Sequence, residues 1–476
     1  MKNISYINIL LFFSVFFYQN TLAQDMEAST KTLLANSTKY NVLGDIDGVV
    51  MAFFDNNGRY KIKGFDETMN EKWEKKIEFE KRAAKVVGIV THKKKISIFY
   101  RYKQKGRVHL RMRQFNNELA IIDSYLVKLY SRRSFSPDPI LHYSKNKKKI
   151  MFLSDKREEI IEIVSFDLAT KKKVLDVSLK PQNFDYQLDY LDAVVSNKGS
   201  VHLIAHKHNK RSQREKSRLE LTSFFENQAY KAYSIPFQNN LWYDIGFSYD
   251  NINNRLLLSG FYSHKTTTSS HGVFYGKINP TDQKDYTLTF TPFDNRYLGL
   301  LLGKEVKKNV GFGDVDVQQI LPRRDGGLLL IAERNQQYVR GYNDGSLNSK
   351  NLDNTQVDYY YNEILLYSFH PSGEIHWKKI LHKKQYSHDD DAVFSSFFLF
   401  QNTSSLKLLY NDKVTKGGAV FQYSVNTKGE VDRKSLFNTQ KEKLMLRIRD
   451  AVQTSIKTII IPSERRNSVR FIKLTF

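Results

Sequence analysis

No cysteine occurs among the 476 residues. Its absence excludes disulfides, thiolate zinc sites, a cysteine nucleophile and a lipidated N-terminal cysteine. Acidic residues are scarce beside basic ones, 50 Asp+Glu against 74 Lys+Arg, for a formal net charge of +24. That balance repels cations and favours anionic partners, such as an acidic protein, an anionic glycan or a lipid headgroup. Beyond the first residues no apolar window approaches the about 20 residues that cross a bilayer as a helix. The chain also lacks a nucleophile elbow, an HExxH pair, a P-loop and a Gly-rich dinucleotide turn. These absences point away from the commonest hydrolase and nucleotide-dependent sites and name no reaction.

What is present at the start is a leader pattern. Lys2, the apolar stretch from Ile7 to Phe17 and the small-residue site Thr21-Leu22-Ala23 follow one another as in a secretory signal. Residues 1–24 are therefore expected to be a signal peptide, and 25–476 one exported domain. The expected location is the periplasm, the outer membrane's periphery or the cell surface, where nucleic acid is not a partner. Without disulfide staples such a domain must be held together by burial alone.

Helical periodicity is nearly missing, whereas runs of five to eight residues alternate apolar and polar side chains. Lys95 to Tyr102, Val108 to Phe115, Ser200 to Ala205 and Arg255 to Phe261 are examples. Turn chemistry separates them: Asn56-Asn57-Gly58, Asn197-Lys198-Gly199 and Asp325-Gly326-Gly327 supply left-handed backbone positions. One module recurs. Phe65 to Trp73 (FDETMNEKW) and Phe369 to Trp377 (FHPSGEIHW) share their spacing, and weaker copies begin at Phe115, Phe166, Phe225, Ile278 and Val425. The runs fall into groups of four, and the module is the hairpin between the third and fourth strand of each. Four-stranded units at such a period predict an all-β fold, a single β-propeller. Eight blades are favoured, with seven if the first unit is incomplete. The tail supplies three strands only, so an N-terminal strand drawn from Lys31 to Leu43 is expected to close the ring.

The glycine-to-tryptophan spacing of Gly373 and Trp377 resembles the repeat of the tryptophan-docking propellers. That group includes quinoprotein dehydrogenases and a non-catalytic lipoprotein of the outer-membrane assembly machinery. The resemblance rests chiefly on the modules of Trp73 and Trp377. Its quinoprotein branch implies an acidic metal cluster and often a disulfide beside the cofactor, and the disulfide is ruled out here.

Propeller geometry puts the loops joining successive blades, and those between second and third strands, on one face. Three long insertions fall there: His206 to Arg218, Pro292 to Gly313, and Asn335 to Asp358. Loops raised on a rigid scaffold carry function, so this face is the expected binding surface. Its candidate partner-binding residues are His206, Lys207, His208, Lys210, Arg211 and Arg214 in the first insertion. Tyr338, Arg340 and Tyr342 lie in the last, whose Tyr and Arg content matches interface hot spots. Tyr359 to Tyr361 read equally well as the start of the next strand. Asp389 and Asp390 belong to an acidic knot whose oxygens suit Ca²⁺, and Arg465 and Arg466 form a paired clamp for a carboxylate or phosphate. Catalytic residues and a resident cofactor are not expected. The leading expectation is a non-enzymatic scaffold gripping an envelope protein; a carbohydrate-binding or carbohydrate-active propeller is the alternative.

Overall fold

In a computed structural model the described residues are 25–130, 138–156, 160–180, 184–307, 310–341, 355–414 and 418–476; the leader expected at 1–24 lies outside them. The chain forms eight antiparallel sheets, each of at least four strands, arranged as the blades of a propeller. We number the blades I to VIII and letter their strands a to d from the channel outward.

Blade I shows why the strands start and stop where they do. Its strands are Thr38–Ile46, Val49–Asn56, Arg59–Phe65 and Glu71–Ile77. Asp47-Gly48 and Asn57-Gly58 turn between the first three with all four residues at positive φ, the two-residue hairpin that matches the natural twist of the strands. The repeated module is indeed the c–d hairpin, and its turn has a chemical cause. In five of the seven modules the residue after the apolar one is an Asx whose side chain accepts backbone N–H groups of the turn; His370 and Glu226 stand there in the other two. Asp66 Oδ1 takes those of Thr68 and Asn70 at 3.0 and 2.8 Å, and Asn116 Oδ1 those of Glu118 and Ala120 at the same distances. Asp167, Asn279 and Asn426 repeat the pattern. The apolar residue that opens the turn is buried: Phe65, Phe115, Phe166, Ile278, Phe369 and Val425 all lie in the core. In blade IV the buried residue is Phe224, one place before the expected Phe225.

The ring closes at blade VIII. Strands Val452–Gln453, Thr458–Arg465 and Ser468–Thr475 come from the tail, and Asp25–Ala28 supplies the outer strand, pairing Asp25 with Thr475 and Ala28 with Ile472. An N-terminal strand thus does complete an eighth blade, chiefly through Asp25–Ala28; of Lys31 to Leu43 only Thr32–Leu33 joins it, pairing with Val469 and Ser468. From Thr38 onward that segment is instead strand a of blade I, since Thr38–Ile46 pairs with Val49–Asn56. Ser29 fixes the junction, its N–H donating to the Phe471 carbonyl and its Oγ accepting from the Phe471 N–H, both at 2.9 Å.

Apolar cores fill the seams between blades. Leu257, Phe261, Val273 and Tyr275 of blade V pack with Leu328, Leu330, Leu365, Tyr367 and Phe369 of blade VI. The module's tryptophan seals such a seam. Trp377, on strand d of blade VI, donates its indole N–H to the Thr427 carbonyl in blade VII at 3.1 Å. Its ring lies where a Cβ on Gly429 would come within 2.6 Å, so this position must stay glycine. Trp377→Ala removes ring and hydrogen bond together. Urea denaturation should show a loss of about 2–3 kcal/mol with an unchanged m value.

Candidate functional site

The three long insertions on the upper face have three different fates. The first is stitched down. After strand b of blade IV (Val201–Lys207) the chain makes a 3-10 turn, Arg211–Lys216, and enters strand c (Arg218–Phe224). His206 Nε2 lies 2.9 Å from the Leu188 carbonyl, and His208 Nδ1 lies 2.8 Å from Gln213 Oε1. Lys207 pairs with Asp189. Asn209 exchanges two 3.1 Å hydrogen bonds with the Trp242 backbone, and Arg214 donates to the His264 carbonyl at 2.7 Å. Lys210 and Arg211 are exposed. A cleft of about 780 Å³ opens beside this segment, lined in part by Phe184, Leu188, Asp189, Lys207, Arg218 and Glu220. Two of its cations are matched, Arg218 Nε 2.7 Å from Glu220 and Lys207 on Asp189, while Lys210, also in its lining, forms no ion pair among the described residues. The basic arm is largely a fastener between blades IV and V.

The second insertion is packed into the core. Asp294 caps the helix Asn295–Leu302, accepting the Tyr297 N–H at 2.7 Å, and Tyr297, Leu298 and Leu301 are buried at the seam of blades V and VI. Phe312 then lies 5.0 Å from Phe293, ring to ring.

The third insertion rises as a tongue. Strands b and c of blade VI run on well past their neighbours, as Leu328–Gly341 and Thr355–Phe369, and Gln385–His388 pairs beside strand c. Tyr359 to Tyr361 are thus strand residues. Tyr342 lies outside the described residues. Register fixes the faces: Tyr338 is opposite Asp358, which is opposite His388, while Gln336, Tyr360 and Tyr386 form the next row. Side chains two apart share a face, so Tyr338, Arg340, Tyr360, Tyr386 and His388 stand together. Tyr338 and Tyr360 are 5.8 Å apart, edge to face, and Tyr360 and Tyr386 are 5.0 Å apart. Tyr338 is 51 % exposed and Tyr386 40 %. Beneath them Asp358, 5 % exposed, accepts from Arg340 Nη2 at 2.5 Å and from the Tyr386 hydroxyl at 2.9 Å. Burial works against the Asp358 carboxylate, but these two hydrogen bonds hold its pKa below the ordinary value.

The acidic knot braces the same tongue. Asp389 Oδ1 accepts the Val357 N–H at 2.8 Å, and the Asp389 N–H returns to the Val357 carbonyl at 3.0 Å. Asp390 Oδ1 accepts the Ala392 N–H at 2.9 Å. Asp389, Asp391 and Ala392 all have positive φ, so the knot is a turn in which Asp389 and Asp390 each give one oxygen to a backbone donor and Asp391 gives one to the Tyr359 hydroxyl. Among the described residues no group of three or more His, Asp or Glu is gathered to hold a metal. Arg465 and Arg466 form the exposed, tight b–c turn of blade VIII, with Arg466 in the left-handed region. The sequence-derived residues therefore do not converge. The arm on blade IV, the tongue on blade VI and the turn on blade VIII stand a quarter of the ring apart; the structure joins two separate sequence segments only at the tongue, where Asp389 and Asp390 meet the strands of Tyr338 and Arg340.

Two residues without a motif anchor that element. Glu333, on strand b at the foot of the tongue, and Lys383, in the link to Gln385–His388, form a 2.6 Å ion pair with neither side chain exposed. The one hint in the sequence is a glutamate directly after the apolar run Leu328 to Ala332.

No family model matches the chain, and no curated protein matches it. Solved structures similar to it include Porphyromonas gingivalis dipeptidyl peptidase 4, at 9 % identity and a TM-score of 0.46, over 89 % of this chain and 56 % of that one. The β-propeller domain of the trilobed protease from Pyrococcus furiosus is 12 % identical with a TM-score of 0.35, over 84 % of this chain and 98 % of that domain. An uncharacterized protein from Listeria monocytogenes EGD-e is 11 % identical with a TM-score of 0.34, over 74 % of this chain and 82 % of that one.

Proposed function

We propose that the chain is a non-enzymatic, exported binding propeller that holds an envelope protein through the blade VI tongue. The observation that carries the reading is the cluster of exposed Tyr338 and Tyr386 about half-buried Tyr360, set on three hydrogen-bonded strands and backed by the Arg340–Asp358–Tyr386 contacts. Tyrosines presented on a rigid sheet bury large area at low entropic cost, as interface anchors do. The ion pairs that occupy Lys207 and Arg218 in the blade IV cleft favour this surface over an anion site at the basic arm. The carbohydrate reading retains the tyrosines, but Asp389 and Asp390, its acidic groups, already serve the turn.

A photo-crosslinking amino acid placed at Tyr338 or Tyr386 in the native cells tests the proposal. The expected result is one and the same envelope protein captured from both positions and not from Lys284, on the opposite face in a c–d turn. Adducts that do not recur, or that appear equally from Lys284, would overturn it.

A further inference from the structure

The tongue has one covered edge and one open edge. Gln385–His388 covers the edge of strand c from Tyr361 to Asp358. On the other side, strand a of blade VI begins only at Val315, opposite Arg334. The chain before it turns away. Asp314 has positive φ, its N–H donates to the Tyr243 hydroxyl at 2.8 Å, and Phe312 pairs instead with Ser270 of blade V. Strand b above Asn335 therefore has no neighbour on that side among the described residues.

Which backbone groups face outward there follows from one bond. The Asn335 N–H donates to the Asp314 carbonyl at 2.9 Å, so Asn335 points to the open side. From Asn335 to Gly341 the ladder with strand c has no register shift. In an antiparallel ladder alternate residues turn both N–H and C=O the same way, so Gln337 and Val339 present theirs outward. Both residues are exposed, Val339 at 64 %. The usual protections of an edge, a lysine, a proline or a bulge, are missing from Gln336 to Arg340. Two carboxylates stand at the base of this edge. Asp316 accepts from Asn335 Nδ2 at 2.8 Å and Asp314 from Gln336 Nε2 at 2.5 Å, and among the described residues neither forms an ion pair. In so basic a protein, unmatched acids beside an open strand are a specific feature.

We infer that this edge takes an extended segment of the partner protein as an added strand, in line with strand a and antiparallel to strand b. The inference rests on the scaffold reading and specifies how the partner is held. Its main chain pairs with Gln337 and Val339; alternate side chains lie on Val339 and Val357 on one face and on Tyr338 and Tyr360 on the other. A Lys or Arg at the end nearest Asp314 and Asp316 completes the match.

The test pans the full exported chain against a phage-displayed library of random peptides and measures the selected peptides by fluorescence anisotropy. Val339→Pro removes one outward N–H and leaves the inner ladder intact, a place where edge strands tolerate proline. Selected peptides should carry a basic residue at one end and weaken about tenfold or more on Val339→Pro. Asp314→Asn with Asp316→Asn should abolish the basic preference. N-methylation of the peptide, which leaves the protein untouched, should block binding in one alternating set of residues and not in the other. Equal binding to Val339→Pro, indifference to the N-methyl frame, or no selected peptide would overturn the added strand. Crosslinking from Tyr386 in the Val339→Pro chain separates the two ideas: an undiminished envelope adduct removes the added strand and keeps the scaffold, whereas no recurrent adduct from the unaltered chain removes the scaffold reading itself.

Discussion

Glu333→Ala lowers the unfolding free energy by about 3–5 kcal/mol, the usual consequence of leaving a buried charge without its counter-ion. The surroundings explain why the loss is not softened by water. Lys383 Nζ meets Glu333 at 2.6 Å and donates to Gln385 Oε1 at 2.8 Å and to the Tyr361 carbonyl at 3.1 Å. Ser396 Oγ donates to the other Glu333 oxygen at 2.5 Å, and Gln385 Nε2 donates to the Asn411 carbonyl at 2.7 Å. Burial pulls the Lys383 pKa down while Glu333 pulls it up, so removing the carboxylate leaves the desolvation cost unopposed. Lys383→Met should fall in the same range. The double replacement Glu333→Leu with Lys383→Met should recover most of the loss, because neither charge then remains to be hydrated. A double-mutant cycle by urea denaturation checks this. Single losses under about 1 kcal/mol would show that water reaches the pair. The network joins strand b, strand c and the link after strand d to blade VII. It sets the foot of the tongue, and its specificity role is the registration of Gln385–His388 beside strand c.

The same pair marks the limit of what the sequence discloses. The propeller is legible because seven of the eight blades repeat a local instruction: an apolar residue near the end of strand c in the core, then a turn. Strand periodicity and spacing suffice to read it, although the Asx hydrogen bonds at Asp66, Asn116 and Asn426 are its actual cause. Closure is legible in kind and not in place. Asp25–Ala28 binds through four residues of backbone pairing, a requirement that leaves no side-chain pattern, whereas Lys31 to Leu43 has a strand's composition and gives blade VIII only Thr32–Leu33, its part from Thr38 serving blade I. Functional loops are harder still. The run from His206 to Arg218 reads as a free basic arm because its anchors, Asp189, Trp242 and His264, sit in other segments of the chain. The segment beginning at Asn335 reads as a loop, yet the strands continue to Gly341 and resume at Thr355. Gln385–His388 pairs with strand c and makes the second half regular. Long-range partners decide each of these, and a one-dimensional pattern does not contain them.

A second large effect follows from His202 and concerns acid. His202 lies on strand b of blade IV, wholly buried, with Nε2 3.0 Å from Ser200 Oγ and Nδ1 2.9 Å from Ser223 Oγ. Its ring stacks on Tyr249 of blade V at 5.0 Å, so it spans a seam. Burial lowers its pKa from 6.5 to about 3. The sign follows: below the unfolded value the unfolded chain takes up a proton that the folded chain refuses, and stability falls as pH drops towards the folded value. At pH 4 the two values correspond to a penalty of about 3 kcal/mol relative to pH 7 from this residue alone. His202→Gln keeps a donor and an acceptor for the two serines and cannot titrate. Unfolding free energies measured in urea at both pH values should show the unaltered chain losing about 3 kcal/mol more than the variant. Acid loss from every other group is common to both chains and cancels in that difference. Equal losses would mean that the imidazole accepts its proton in place, through local opening of the seam between blades IV and V. The expected inequality means that acid must separate these blades before it charges His202, the same seam that Asn209 and Arg214 fasten from above.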